Sequence, residues 1–390
     1  MDEHTWSLPG PRTLITGTLD ELKRGRHVCL VLPAGMAADP SVTDSLSVAI
    51  VEEASRITTA RRIFADLECD SLLEVFAHTV DPDDPPATVP DLLAHYQGDG
   101  TVFVTVAAEH TDRQRDEFPK FLQRLEQDTH NVASDSRLSL VVICGRGDLP
   151  TFRGGESSDV SLATLWWWNR IARWDTAAHI CHLDGPRISD RFLADIRSET
   201  IVEVARWDLA LAGQLAQDWS GDPADLSEHL AEADIPGDQL GETREGCGLR
   251  PAEGLLEPWD AGLIDGWHDT YSAAPTPQRL RRLVWAAQAR IVLPWIEQRR
   301  EVLQQNTIDK LTRKRFNDAL QTLFTPPLND AGLVEIGHLY RIIDARLGRT
   351  EPALRSTAWR LRDARNRSAH LQPLSLGELT ELIAACRDVY

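Results

Sequence analysis

Three short apolar runs in the first 150 residues constrain the fold of this chain most strongly. They cover residues 27–33, 101–106 and 138–144 and are rich in β-branched residues. Continuous apolar runs of this length are typical of strands that are buried on both faces of a parallel sheet. Between the second and third runs, residues 112–128 carry apolar side chains at helical spacing. The sequence therefore predicts an α/β N-terminal domain, over residues 1–160, with a parallel sheet and flanking helices.

Residues 161–260 are predicted to be helical at first and then poor in regular structure. From 161 to about 215 the apolar residues follow a helical pattern, whereas residues 218–260 combine many acids with repeated Gly and Pro. Such a stretch is typical of a connector. We therefore expect a helical region and an acidic, loop-rich connector that lead into a third domain.

Residues 261–390 are predicted to form an all-α helical bundle. Their apolar pattern is helical almost throughout and predicts five helices. Pro294 either kinks a long helix or opens the next one at its first turn. Residues 350–352 mark one helix start. Ser375 and Glu378 mark another, because Ser followed three residues later by Glu is a capping box.

Charge is divided unequally along the chain. The net charge is −19, but residues 278–390 hold 19 Lys and Arg against 12 Asp and Glu, a net +7, and the remainder has a net −26. Phosphate binding depends on clustered Lys and Arg. The charge therefore excludes a protein that coats nucleic acid along its whole length, and it leaves the C-terminal region as the candidate site for RNA.

Cysteine content and hydropathy predict a cytoplasmic protein that does not enter a membrane. The six cysteines form no Cys-x-x-Cys pair, which argues against a disulfide framework and a Cys-rich zinc site. No apolar run approaches the ~20 residues that cross a bilayer. The acidic start, Met1-Asp2-Glu3, is unlike the basic start of a signal peptide.

The N-terminal domain lacks the residues that hold a nucleotide. A phosphate-binding loop needs a Gly-rich turn followed by Lys and Ser or Thr, and none of the four lysines follows a strand in such a turn. The second apolar run continues into Ala107-Ala108-Glu109-His110 instead of an acidic pair. The order of elements over residues 10–215 resembles the P-loop ATPases of the STAND and AAA kind in degenerate form. We expect neither ATP hydrolysis nor a cofactor.

Two other clusters are predicted to be structural. His179, Cys181 and His182 offer metal ligands, but a zinc site commonly draws its ligands from two separate pairs and no second pair is evident; we expect no metal. Trp166-Trp167-Trp168 and Trp174 are candidates for base stacking, but few cations lie near them. Packing in a core or between domains is the favoured interpretation.

The segment Arg365-Asn366-Arg367-Ser368-Ala369-His370 is the most specific motif in the chain. Together with its Arg-rich context it looks like the signature of the HEPN superfamily, which are helical bundles that act chiefly as ribonucleases. Residues 335–341 also resemble the preceding helix in one branch of that superfamily, and the resemblance covers about residues 275–390. It implies Arg365, Asn366 and His370 as catalytic residues. The nearby Arg360, Arg362 and Arg367 are predicted to bind RNA.

The chemistry of these residues fits metal-free RNA cleavage. His exchanges protons near neutral pH, and Arg offers a fork of donors to phosphoryl oxygens. Five residues along a helix are ~140° apart, so we expect Arg365 and His370 to meet where the helix ends or across a dimer. The family resemblance implies a homodimer with a composite site. The structural alternative is that Arg365 and Arg367 are a solvated helix face and that His370 is a capping residue.

The sequence as a whole favours a metal-independent endoribonuclease effector of a toxin or antiviral defence system, with an inactive NTPase-like sensor or docking domain. The defence role, and with it a protein partner from such a system, follows only from the resemblance. One alternative is a non-catalytic scaffold whose bundle mediates dimerisation or RNA binding. Another is a switch that binds a nucleotide without hydrolysing it.

Overall fold

The structure, a computed structural model, describes residues 3–66, 68–81, 83–95, 100–129, 137–148, 162–186, 188–230, 249–266, 276–328 and 334–387. Contacts divide the chain into two compact units. The first contains Met1–His179 and Asp234–Ala273, and the second contains Ile180–Ala233 and Ala274–Tyr390.

Five strands and sixteen α-helices are present in the described residues. The strands are β1 His27–Leu32, β2 Thr59–Arg62, β3 Thr101–Val106, β4 Leu138–Gly145 and β5 Leu162–Trp166. The helices are α1 Glu3–Ser7, α2 Pro9–Lys23, α3 Ala34–Ala37, α4 Pro40–Ala54, α5 Leu72–Val80, α6 Val89–His95, α7 Asp112–Thr129, α8 Arg173–Cys181, α9 Arg191–Ala205, α10 Leu209–Asp218, α11 Leu256–Asp260, α12 Pro277–Leu311, α13 Arg313–Thr322, α14 Ile336–Arg346, α15 Pro352–Ala369 and α16 Leu376–Arg387.

The first unit is built on a parallel sheet with the strand order β2-β3-β4-β1-β5. The three strands that were predicted, β1, β3 and β4, lie inside the sheet, and all their residues are buried. The helix predicted between β3 and β4 is α7. The prediction of an α/β domain with a parallel sheet and flanking helices is therefore confirmed.

The two edge strands differ from the prediction. β2 has the sequence Thr-Ala-Arg-Arg, which offers no apolar run, and it forms by pairing in register with β3. β5 lies in the stretch from 161 to about 215 that was predicted to be helical, which is wrong for Leu162–Trp166. Leu162, Leu165 and Trp166 fit a helical spacing, but pairing with β1 overrides this local pattern.

The second unit contains α9, α10 and the helices α12 to α16, as predicted for an all-α C-terminal region. Pro294 lies inside α12, which runs for 35 residues, so the interpretation that it opens a new helix is wrong. The capping box before α16 is confirmed, because Glu378 N–H donates to Ser375 Oγ and Ser375 N–H donates to Glu378 Oε2. Residues 231–248 of the predicted connector, 218–260, lie outside the described residues.

A continuous apolar core joins the helices of the second unit. Ile296 and Leu303 of α12, Phe316 of α13, Leu339 of α14 and Leu361 of α15 are all fully buried in it. This core fixes one face of α15 and leaves the opposite face outside. Along the described stretches of the chain, every helix is too short or too polar to span a bilayer.

Candidate functional site

The predicted motif lies at the C-terminal end of α15. Arg365 and Asn366 belong to its last turns, and His370 is the C-cap residue, whose backbone N–H donates to the carbonyls of Asn366 (3.1 Å) and Arg367 (3.0 Å). Arg365 and His370 are exposed, and Asn366 is half-buried. The motif is therefore accessible to a ligand.

A tight turn follows His370 and ends the helix. Leu371 has a φ of 57°, in the left-handed region. Gln372 N–H donates to the Arg367 carbonyl (3.0 Å), and Leu371 N–H donates to the Ser368 carbonyl (3.4 Å). These are the two hydrogen bonds of a Schellman motif, which satisfies carbonyls that the helix leaves open. The turn fixes the backbone at His370 without using its side chain.

Two side chains of α12 form hydrogen bonds with the backbone of this turn and of the segment after it. Trp285 Nε1 donates to the Ser368 carbonyl (2.6 Å). The buried amide of Gln288 donates to the Leu374 carbonyl (2.8 Å) and accepts from Leu374 N–H (2.6 Å). Because both partners of Gln288 belong to the chain that follows His370, α12 sets the position of the motif.

Two of the predicted RNA-binding residues tie α15 to α16. Arg367 pairs with Glu378 and donates to the Pro373 carbonyl (3.1 Å). Arg360 pairs with Glu381. Glu378 has a second task, because its other oxygen takes part in the capping box of α16. The charges of Arg360 and Arg367 are thus balanced by acids on the α16 side of the helix.

The arginines on the α14 side of α15 are less constrained. Arg362 lies over the ring of Tyr340, with its guanidinium carbon 5.0 Å from the ring centroid. Arg365 has Glu335 at 3.9 Å, close to the limit for an ion pair, and both side chains are largely exposed. An exposed pair of this geometry contributes little, so both cations remain open to an incoming anion.

The polar groups of Asn366 and His370 are not engaged in the fold. Among the described residues, neither the Asn366 amide nor the His370 ring has a hydrogen-bond partner. The ring of His370 does not cap the last carbonyls of α15, since backbone N–H groups and Trp285 donate to three of them, those of Asn366, Arg367 and Ser368. His370 thus occupies the C-cap position that the structural alternative gives it, but it caps the helix through its backbone and leaves its ring unused.

Helical geometry places Asn366 and His370 on the same face of α15. At about 100° per residue, these two residues point away from the buried face, which is formed by Leu354, Thr357, Ala358, Leu361, Ala364 and Ser368. Arg365 lies ~140° from His370 around the axis and points toward α14. One chain thus presents the Arg and the His on different sides of the helix.

The C-terminal edge of the sheet, where open α/β sheets bind ligands, carries carboxylates in this protein. Asp260 Oδ1 accepts from Ala34 N–H (3.2 Å) at the start of α3, and Asp148 Oδ2 accepts from Gly145 N–H (2.7 Å) at the last residue of β4. Burial raises the pKa of Asp260, whereas the hydrogen bond from Ala34 and the charge of Arg146 lower it. Because the two carboxylates occupy backbone N–H groups at this edge, those groups are not open to a nucleotide phosphate.

The tryptophans predicted to be structural pack inside the first unit. Trp166, Trp167 and Trp168 are buried. Trp166 contacts Trp259, with ring centroids 5.3 Å apart, and Trp6 contacts Trp167 at 5.5 Å. Packing in a core is confirmed for these three, whereas Trp174 is exposed.

The His and Cys cluster is split between buried and exposed positions. His179 is buried, while Cys181 and His182 are exposed. Over the residues whose positions are described, no group of three or more His, Cys, Asp or Glu side chains has a geometry suited to a metal ion.

A separate cleft of about 640 Å³ lies between the start of α9, the middle of α12 and the end of α16. Phe192 stacks on Trp295 there, with ring centroids 4.4 Å apart. Its arginines Arg290 and Arg387 pair with acids of α9 and of its cap. All six predicted site residues are described, and none of them lines this cleft.

Comparison with protein-family models and with curated proteins finds no match to this chain. The resemblance to the HEPN superfamily therefore depends on the residues of the motif and on their surroundings in the second unit.

Sequence reasoning missed two groups of residues around the motif. Trp285 and Gln288 position it from 83 and 86 residues away, and no local pattern indicates such a pair. Trp359 is 46% exposed on α15 and was not singled out as a functional residue. Its spacing of seven residues from Asn366 and eleven from His370 places all three on one helix face.

Proposed function

We propose that this protein is a metal-independent endoribonuclease of the HEPN type, and that it acts as the effector of a toxin or antiviral defence system. The reactive residues are Arg365, Asn366 and His370. The first unit serves as a degenerate, NTPase-like sensor or docking module.

One observation carries the proposal: the polar side chains of the motif are not used to build the fold. Trp285 and Gln288 hold the end of α15, while the His370 ring and the Asn366 amide have no partner among the described residues. A rigid backbone with unengaged polar groups is what a preorganised site requires. The Asn366 amide is the more informative of the two groups, because it is half-buried and polar groups inside a fold are usually hydrogen-bonded.

In the proposed reaction the ribose 2′-OH attacks the adjacent phosphorus. The bond from O2′ to phosphorus forms as the bond from phosphorus to the 5′ oxygen breaks, which yields a 2′,3′-cyclic phosphate and a 5′-OH. One His370 takes the proton of the 2′-OH, and a protonated His370 donates to the leaving oxygen. Arg365 stabilises the charge on the phosphoryl oxygens, and Asn366 orients one of these groups.

This assignment of roles favours a homodimer. Two imidazoles are needed for the two proton transfers, and each chain supplies one motif. Arg365 and His370 also lie on different sides of α15. A two-fold axis beside this helix would bring a partner's Arg365 to His370, and both copies would then contribute to one site.

The first unit is proposed to sense or dock without hydrolysing nucleotide. Asp148 accepts a hydrogen bond from the N–H of Gly145, the last residue of β4, and Asp260 accepts one from the N–H of Ala34, which follows β1. In a nucleotide-binding fold, N–H groups after a strand face the phosphates. This favours a protein or RNA trigger over the nucleotide-responsive switch.

The test is cleavage of cellular RNA and tRNA by the full-length protein in the presence of EDTA. His370→Ala is expected to lower the rate by at least about 100-fold, the lower range for loss of an acid–base catalyst. His182→Ala is the matched control, because His182 is an exposed His of the same unit. Cleavage by neither wild-type protein nor variants would favour the non-catalytic scaffold.

A further inference from the structure

Trp359 is a large aromatic residue that the fold leaves exposed. Its side chain is 46% exposed on α15. Among the described residues its ring has one close partner, the guanidinium of Arg360, at 5.9 Å from the ring centroid. Trp is highly buried on average. A Trp that is nearly half exposed offers part of its ring to a ligand.

The exposed face of α15 places Trp359 in line with the motif. At about 100° per residue, Trp359, Asn366 and His370 lie within roughly 40° of one another, opposite the buried face of the helix. Asp363 and Arg362 flank this line, and both are partly exposed. The rise of 1.5 Å per residue puts Trp359 about 16 Å along the axis from His370.

We infer that Trp359 is a stacking subsite for a base of single-stranded RNA whose phosphate lies at His370. The inference rests on the proposed function and names its substrate class. An aromatic face binds any base by stacking, which contributes about 1–3 kcal/mol per base. A base inside a duplex has no free face, so the subsite selects unpaired RNA.

The charges on the two sides of α15 determine along which side the RNA backbone runs. On the α16 side, Arg360 and Arg367 are balanced by Glu381 and Glu378. On the α14 side, Arg362 rests on Tyr340 and Arg365 has only a 3.9 Å contact with Glu335. Phosphates are therefore drawn to the α14 edge, along Arg362 and Arg365.

The distance along α15 between Trp359 and His370 limits how far the stacked base lies from the cleaved phosphate. A span of about 16 Å corresponds to at most about five nucleotides at the 3.4 Å rise of a stacked strand, and to fewer in an extended one. The stacked base is thus two to about five nucleotides from the cleaved phosphate. An oligonucleotide too short to reach Trp359 loses this contact and keeps the contact at His370.

The experiment measures binding of a labelled 12-nucleotide single-stranded RNA, whose 2′-OH groups are methylated so that it cannot be cleaved, to the full-length protein by fluorescence anisotropy in EDTA. Trp359→Ala is expected to raise the Kd about 5- to 100-fold, while Trp359→Phe stays within about threefold because it keeps an aromatic face. Val302→Ala is the matched control, since Val302 is a 43% exposed apolar residue of α12. A duplex of the same sequence should not discriminate between wild type and Trp359→Ala.

Substrates that lack one base at a defined position test the register. Wild type should bind one such substrate more weakly, with the missing base two to about five nucleotides from the cleaved bond, and Trp359→Ala should bind all of them alike. Equal Kd values for wild type and Trp359→Ala overturn the subsite. The same holds if Trp359→Ala dissociates a dimer in sedimentation while the Kd per protomer is unchanged, because the face is then a subunit interface.

The two proposals fail separately. Cleavage that depends on His370 but has the same KM in wild type and Trp359→Ala removes the stacking subsite and leaves the ribonuclease. Binding that depends on Trp359 without cleavage removes the ribonuclease and leaves a subsite for unpaired RNA.

Discussion

Leu371, the residue after His370, has an unfavourable backbone conformation that helps to position His370. Its φ of 57° lies in the left-handed region, which is strained for residues with a Cβ and free for Gly. Its side chain is 56% exposed. The fold accepts this strain because the turn supplies two backbone hydrogen bonds and fixes the direction in which His370 leaves the helix.

Replacing Leu371 with Gly is expected to stabilise the protein. The change relieves the left-handed strain, and the loss of an exposed side chain removes little burial, so the free energy of unfolding should rise by about 0.5–1 kcal/mol. Urea unfolding of the two proteins measures the difference. Leu249→Gly is the control, because Leu249 is 80% exposed and has no positive φ. A loss of stability in Leu371→Gly that matches the control would contradict the assignment of strain.

His110, at the end of β3, gives the first unit a dependence on pH. Its ring is buried, Nε2 lies 2.7 Å from Thr105 Oγ1, and burial lowers the pKa of His110 from 6.5 to about 4. The unfolded chain therefore binds a proton on this ring below pH 6.5, whereas the folded chain binds it only below about pH 4. Stability from this group is complete above pH 6.5 and is lost as the pH falls toward 4.

We expect His110→Gln to flatten this dependence. Wild type should lose about 2 kcal/mol of unfolding free energy through His110 between pH 7.5 and pH 5, and the variant should lose that much less. Gln keeps a polar group near Thr105 and does not titrate. Urea titrations at pH 7.5, 6 and 5 provide the comparison. Parallel pH profiles of the two proteins would show that the ring takes up its proton without penalty.

At the scale of elements, α12 is the support of the candidate site. Gln288 forms two hydrogen bonds with the backbone of Leu374, and Trp285 forms one with Ser368. Both side chains lie three residues apart on one face of α12. The end of α15 and the start of α16 are thus fixed by a helix that carries no residue of the motif.

Gln288→Leu should separate positioning from chemistry. The variant leaves the buried N–H and carbonyl of Leu374 without partners, at an expected loss of about 2–4 kcal/mol in unfolding free energy. RNA cleavage should fall even where the variant is fully folded, because the turn at His370 loses its support. Gln298→Leu, on the exposed face of α12, is the control. Full activity in folded Gln288→Leu would show that α12 does not position the site.

The elements differ in how far their own sequence specifies them. β1, β3 and β4 are predictable because they are buried on both faces and so consist of continuous apolar runs. β2 and β5 are edge strands that depend on one neighbour each. β2 has no apolar run, and the residues of β5 fit a helical spacing. The capping box at Ser375 is local and is predictable. The supports at Trp285 and Gln288 are not, because they depend on contacts between residues more than 80 positions apart.

At the scale of the molecule, the division of charge agrees with the proposed division of roles. Of the four arginines that surround the motif on α15, the two that remain open lie on the α14 side, and the sheet edge of the first unit carries carboxylates. The motif residues were proposed from the sequence alone, and their role stays a prediction. The sequence does not show which two of the four arginines pair with α16 and which two face α14. This depends on how both neighbouring helices pack against α15.

A composite site that uses the His370 of both chains makes a prediction about mixtures of wild type and His370→Ala. In an equimolar mixture that has exchanged subunits, only a quarter of the dimers carry both His370 side chains, so the activity should fall to roughly a quarter of that of the same total concentration of wild type. Retention of roughly half of the activity, with exchange verified by mass, would mean that each chain uses only its own His370.

The measurement that tests the central claim most directly is the identity of the RNA ends produced in EDTA. The full-length protein is incubated with a defined single-stranded RNA, beside His370→Ala and the His182→Ala control. We predict a 2′,3′-cyclic phosphate and a 5′-OH from wild type and the control, and no cleavage by His370→Ala. Ends with a 3′-OH and a 5′-phosphate, or cleavage that survives in His370→Ala, would contradict the proposed site.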